Sequence, residues 1–407
     1  MKRMPIKAAY LPLMLTLALA FSLMFSPAAF AAAVDYSDNH TFQNETVKKL
    51  VEVLDDDNQY DVAEAQKMID RVSKINEKLL SETQKAGIRL ILTDFPLTDL
   101  PEWSHLKGVV PRGWEGTGKT WDDVPGIGGN PTAARIGYSD YGRGHTTVNL
   151  ELHEFSHAID FYAAGLVITE LEEFLAIHEE EYEPLFHDHT VFYYFAYPEE
   201  YFAEAMALYH LNAETKAKLL ERAPKTYAFI ETLPQRIISV DQTKPSYTSF
   251  SWVPVAGAAK YEVYRDGQLL KKTNKPQYTD THVKAGMDYS YQVKAIGSNG
   301  KVLNTTFSRF VSTLAEPTPG DPTGLAVKQE TKTTVSLTWD QSEGADYYEI
   351  LRDGSVIGTA KHNSYTDSRL EQNTTYTYSV KAVNESGASP GDNKITVTTD
   401  KDKKHSK

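Results

Sequence analysis

Beyond the first thirty residues, the spacing of apolar positions changes twice along the chain. Over 45–54 and 62–80 these positions recur at helical intervals, with Val62, Ala65, Ile69 and Val72 on one face, which predicts two helices. GIRLILTD (87–94) is a short continuous apolar run and reads as a buried strand. A loop rich in Gly and Trp follows, VVPRGWEGTGKTWDDVPGIGGN (109–130). Short strands are expected around 133–138 and 146–150, and the rest, as far as about residue 241, is mostly helical. Residues 32–241 therefore read as one domain of α+β type.

After that point the period becomes two. Val335, Leu337 and Trp339 alternate with polar neighbours, as do Tyr376, Tyr378, Val380 and Ala382. Asp266-Gly267 and Asp353-Gly354 are hairpin-type turn signals. Aligning Trp252 with Trp339, an offset of 87, lays YEVYRDG (261–267) on YEILRDG (348–354) and 277–300 on 364–387 without a gap. The region is a duplication. Each copy has the strand density of a small antiparallel sandwich. The Trp and the Tyr-x-Tyr-x-Val-x-Ala strand resemble fibronectin type III modules, over 242–314 and 321–400. Residues 315–320, inside the Pro- and Gly-rich LAEPTPGDPTG (314–324), read as a stiff linker. A short basic tail (401–407) ends the chain.

The first 31 residues have the three parts of an export signal: basic Lys2, Arg3 and Lys7, an apolar run from Ala8 to Phe25, and Ala29-x-Ala31 as a cleavage site. The expected product is a secreted, extracellular protein. Cleavage there removes three basic residues and no acidic one, taking the net charge from −13 to −16. Such an acid balance argues against nucleic-acid binding. The absence of cysteine excludes a disulfide scaffold, a thiolate metal site and a Cys nucleophile. Any metal must be held by His and carboxylate.

LELHEFSHAIDFY (150–162) supplies such ligands. Residues four apart on a helix share a face, so His153 and His157 point at one spot and are spaced to hold one Zn²⁺. Glu154 sits one position round, able to reach water beside the ion without being a ligand. A catalytic zinc takes three protein ligands and leaves one position open. YYFAYPEEYFAEAMALYH (193–210) offers Glu200 as the third, with Glu204 one turn on as acceptor for a ligating imidazole N–H. His145, His178, His187 and His189 read as surface-loop residues, and His210 as capping or packing its helix end.

HEFSHAID, EEYFAEAM and APKTYAFIETLPQRI (223–237) resemble the peptidase domain of anthrax lethal factor and the small secreted Pro-Pro endopeptidases; the RGWEGTGKTWDDVPGIGG loop is similar to the latter. The resemblance spans nearly all of 45–240. It implies a zincin-like fold and a zinc endopeptidase cutting between two prolines in a secreted or surface protein, with one Zn²⁺ per chain. It makes Glu200 the third ligand and gives Tyr193 the oxyanion, with Tyr194 and Tyr197 close by. It places Trp114 along the cleft, with Arg112 facing Glu199 across it. The expected whole is an α+β zincin-like metallopeptidase domain followed by two all-β fibronectin type III-like sandwiches. The expected partner is a proline-rich peptide or protein, paired by β-addition along 146–150. The sandwiches read either as spacers or as binders of a cell-wall or surface ligand. An adhesion protein with a non-catalytic zinc domain is the alternative reading.

Overall fold

The computed structural model describes residues 33–57, 59–111, 114–189 and 195–401. The signal segment, Arg112, Tyr193, Tyr194 and residues 402–407 lie outside them. Hydrophobic strands and capped helices alternate at the start: β1 (Val34–Asp35), α1 (Glu45–Leu50), β2 (Val51–Asp55), α2 (Val62–Val72), α3 (Glu77–Lys85), β3 (Leu90–Thr93), β4 (Gly126–Ile127) and β5 (Thr132–Arg135). The sheet runs β1-β2-β3-β5-β4. Its three central strands are parallel, while β1 and β4 lie antiparallel at its edges. Five helices complete the domain: α4 (Leu150–Ala158), α5 (Glu172–Phe186), α6 (Pro198–Leu211), α7 (Ala213–Arg222) and α8 (Pro224–Thr232).

Three expectations are corrected. The segment 45–54 is not one helix, because it changes to strand at Val51. Val51, Val53 and Asp55 alternate inward, and Val51 pairs with Leu90 in the parallel ladder. The segment 62–80 is two helices, capped by Asp61 on the Glu64 amide and by Asn76 on the Lys78 amide. Val62 lies off their buried face, which is Ala65, Met68, Ile69 and Val72. The segment 146–150 forms one isolated bridge, Asp140–Asn149, before α4 begins. Its amides are taken elsewhere. The Thr147 amide donates to His145 Nδ1 (3.2 Å), the Val148 amide to Glu204 Oε1 (2.7 Å) and the Leu150 amide to the Ser139 carbonyl (3.0 Å).

Two β-sandwiches follow, the first opening at Ile238 rather than at 242. In it, β6 (Ile238–Thr243), β7 (Thr248–Trp252) and β10 (Gln277–Asp280) face β8 (Ala258–Arg265), β9 (Gln268–Thr273), β11 (Asp288–Gly297), β12 (Val302–Thr305) and β13 (Arg309–Ser312). The second repeats the plan over residues 326–398. The duplication extends to buried polar chemistry. Asp280 accepts from Arg265 (2.7 Å) and Tyr291 (2.9 Å), while Asp367, 87 residues on, accepts from Arg352 (3.0 Å) and Tyr378 (2.8 Å). Asp266 and Asp353 both turn at φ 51° ahead of their glycines.

The first sandwich does not hang from a flexible tether. Phe307, between β12 and β13, belongs to the core cluster of the α+β domain, 6.4 Å from Phe229, and the Arg236 guanidinium lies 4.3 Å from its ring centre. The Phe307 amide donates to the Arg236 carbonyl (2.7 Å), and Asn304 donates to that of Gln235 (2.8 Å). These contacts fix this module against the α+β domain.

Candidate metal and catalytic site

The site begins with the start of α4. Asn149 caps it, its side-chain oxygen accepting from the Leu152 amide (3.1 Å). Glu151, fully buried in the first turn, is clamped by the Arg71 guanidinium of α2, which also holds Ser139 and Glu64 at 2.8 and 2.7 Å. The pair spans 80 residues, so nothing local in the sequence announces it. Leu150, Leu152, Phe155 and Ala158 bury the helix. On the side away from Leu152 and Phe155 the helix presents His153 and His157, ring centres 5.0 Å apart.

Helix α6 packs across α4, with Tyr201, Phe202, Ala205 and Met206 buried in the common core. Pro198 occupies its first turn, where the missing N–H is no loss. That packing brings Glu200 to the histidines: Oε2 lies 3.1 Å from His153 Nε2 and 3.7 Å from His157 Nε2. One donor atom from each residue lies within 4.8 Å of the other two. Two imidazole nitrogens and one carboxylate oxygen are a donor set that suits zinc. Glu204 supports it from behind, Oε2 standing 3.0 Å from His153 Nδ1 while Oε1 accepts the Val148 amide. Placing the proton on Nδ1 leaves Nε2 free as a ligand. Glu204→Gln weakens that orientation and should lower zinc affinity by about 10–100-fold in a chelator competition. Unchanged affinity would show that Glu204 does not orient His153.

The electrostatics fit a cation. With only protein around it, His153 is buried between carboxylates; burial opposes its charge, but Glu200 and Glu204 outweigh this and push its pKa up to about 10. Glu200 is held well below the usual carboxylate range, because hydrogen bonds from His153 and His157 overcome its desolvation. A cation between these groups takes over the role of those protons. Glu154 shifts the other way. Burial drives its pKa up, opposed by the two histidines and by the Gly128 amide. A carboxylate raised in this way is a better proton acceptor for work near neutrality.

Of the residues singled out from sequence, His153, Glu154, His157, Glu200 and Glu204 come together. Glu199 is half-buried beside Glu200 in the first turn of α6. Trp114 is half-buried in the loop before β4, with Lys119 Nζ 5.8 Å from its ring centre. Arg112 and Tyr193 are outside the described residues. His178, expected on a surface loop, is instead buried inside α5, its ring bonded to the Phe195 carbonyl at 3.0 Å. His145 does lie in a loop, half-buried, with its ring against the Tyr138 carbonyl and Thr147. His210 packs against its helix as expected, bonded to the Met206 carbonyl at 2.9 Å. The Arg71–Glu151 clamp was missed, as was the role of β4 beside the site; the Gly-x-Gly of 126–128 was the available signal for the latter.

Residues 37–233 match the family model described as anthrax toxin lethal factor, N- and C-terminal domain, and residues 320–398 match the fibronectin type III domain. The chain is 46 % identical over 174 residues to the Pro-Pro endopeptidase of Clostridioides difficile (strain 630), covering 43 % of this chain and 77 % of that protein. It is 43 % identical over 178 residues to the Pro-Pro endopeptidase of Paenibacillus alvei, covering 43 % and 79 %. The solved structure of a Pro-Pro endopeptidase from Paenibacillus alvei aligns at 41 % identity and TM-score 0.42, covering 46 % of this chain and 99 % of that one.

Proposed function

The chain belongs to the Pro-Pro endopeptidase family, and from that premise we propose that it is a zinc-dependent endopeptidase hydrolysing Pro-Pro bonds. The reading takes the α+β domain as zincin-like and the substrates as proline-rich extracellular or surface proteins. His153, His157 and Glu200 are the zinc ligands, Glu204 orients His153, and Glu154 is the general base. The observation that carries this is the convergence of three donor atoms from α4 and α6 with the Glu154 carboxylate beside them.

Zinc held by His153, His157 and Glu200 would acidify water and polarise the scissile carbonyl. Glu154 takes the proton of the attacking water and later delivers it to the departing nitrogen. Tyr193 donates its O–H to the developing oxyanion, a role that rests on the family motif. Trp114, Arg112 and Glu199 line the substrate cleft on the same basis.

Peptide pairing shifts from 146–150 to β4, the outer strand of the sheet, whose partner among the described strands is β5. An extended substrate adds to that free edge. Proline fixes φ and arrives stiff, so less entropy is lost on docking a Pro-Pro segment. Export through the 1–31 segment would put the enzyme where such substrates are. Among the described residues no helix is long and apolar enough to cross a membrane.

The test is mass spectrometry of products from a proline-rich peptide library, with and without a zinc chelator. Cuts should fall between two prolines and vanish on chelation. Cuts without proline on either side, or unaffected by chelation, would refute the proposal.

A further inference from the structure

The backbone of β4 and of Gly128 just after it crosses the face of α4 that carries Glu154 and His157 so closely that an added side chain would force those neighbours to shift. A Cβ at Gly126 would stand 2.6 Å from Leu150 Cδ1, 2.7 Å from Glu154 Oε1 and 2.8 Å from Glu154 Cγ. One at Gly128 would stand 2.7 Å from Cδ2 and 2.8 Å from Cβ of His157. Real Cβ atoms essentially never come within 3.0 Å of such neighbours. Neither glycine has a positive φ, so space, rather than backbone conformation, is what requires them.

Alternation along an extended chain puts residues 126 and 128 on one face and Ile127 on the other. Ile127 accordingly packs on a separate cluster containing Ile91, Leu97, Leu100 and Ala133. Gly128 follows β4 directly, and its backbone N–H faces the Glu154 carboxylate closely enough to favour the charged form. The face turned toward α4 is therefore bare backbone, against one side chain proposed to move protons and another proposed to hold the metal.

We infer that Gly126 and Gly128 are positioning residues: the bare backbone of β4 and of the residue just after it sets the Glu154 carboxylate through Gly126 and the His157 imidazole through Gly128. The inference rests on the zinc-endopeptidase reading and deepens it. It separates two quantities. A methyl group at 126 acts on the base and on Leu150, and one at 128 acts on a ligand.

The experiment compares full-length Gly126→Ala and Gly128→Ala with wild type, with zinc affinity measured by chelator competition and kcat and KM on a Pro-Pro peptide. Gly126→Ala should lower kcat by about 10²-fold, the scale of a 1 Å misplacement, with KM and zinc affinity near wild type. Gly128→Ala should lower zinc affinity by about 10–100-fold, the loss typical of a misoriented ligand. Adding Leu150→Val to Gly126→Ala relieves the apolar clash alone, so it should recover melting temperature but leave kcat low. Recovery of kcat in that double variant would mean a packing role only and would overturn the inference. So would wild-type kcat and zinc affinity in both alanine variants. Failure of the wild-type protein to bind zinc or cut the peptide would instead refute the parent reading, and this inference with it.

Discussion

Glu154→Gln should retain about one zinc per chain and lose about 10³-fold in kcat, with KM little changed. The magnitude is that of removing a general base. Gln has the shape of Glu, so the packing beneath β4 survives. It cannot accept a proton from water. The three ligands are untouched, because Glu154 lies one residue round the helix from the His153–His157 face. Zinc content by atomic spectroscopy, alongside kcat, checks both halves. A variant that cleaves at near-normal rate would remove Glu154 from the mechanism, and one that loses zinc would make it part of the metal site.

The second large effect is expected from a ligand. His157→Ala should lower zinc affinity by more than about 10²-fold, beyond what the loss of an outer partner produces, and bring cleavage to background. The fold should persist, since α4 and α6 are held by Phe155, Tyr201, Phe202 and Met206, all buried. Thermal unfolding separates the two consequences. Wild type should gain about 2.7 kcal/mol when free zinc is 100 times Kd, and His157→Ala should gain almost nothing at that concentration. An equal zinc-dependent rise in both proteins would mean that the ion binds elsewhere.

The order in which features became legible follows from how local they are. The i,i+4 histidines and the Glu beside them needed only a helix at 150–158, and a buried amphipathic segment provided it. The duplication was legible because both copies keep their strand pattern and the Arg, Asp and Tyr of their buried triads at one offset. A strand was expected at 146–150. In the structure His145 and Glu204 take amides that a ladder would have used, and Glu204 is more than fifty residues away. Likewise the helical spacing of 45–54 was overridden when Val51 and Val53 found β3. In both cases a partner distant in sequence outbid local propensity.

Residue chemistry alone therefore specified the nature of the site: ligands that are nitrogen and oxygen, never sulfur, with two of them locked together by the pitch of one helix. It also specified the repeat of the β-modules. Tertiary packing decided the rest. It brought Glu200 and Glu204 onto His153, buried Arg71 against Glu151, and pressed Gly126 and Gly128 against Glu154 and His157. Helical pitch is a property of adjacent residues and is written in their order. The distance between two elements depends on every side chain packed between them.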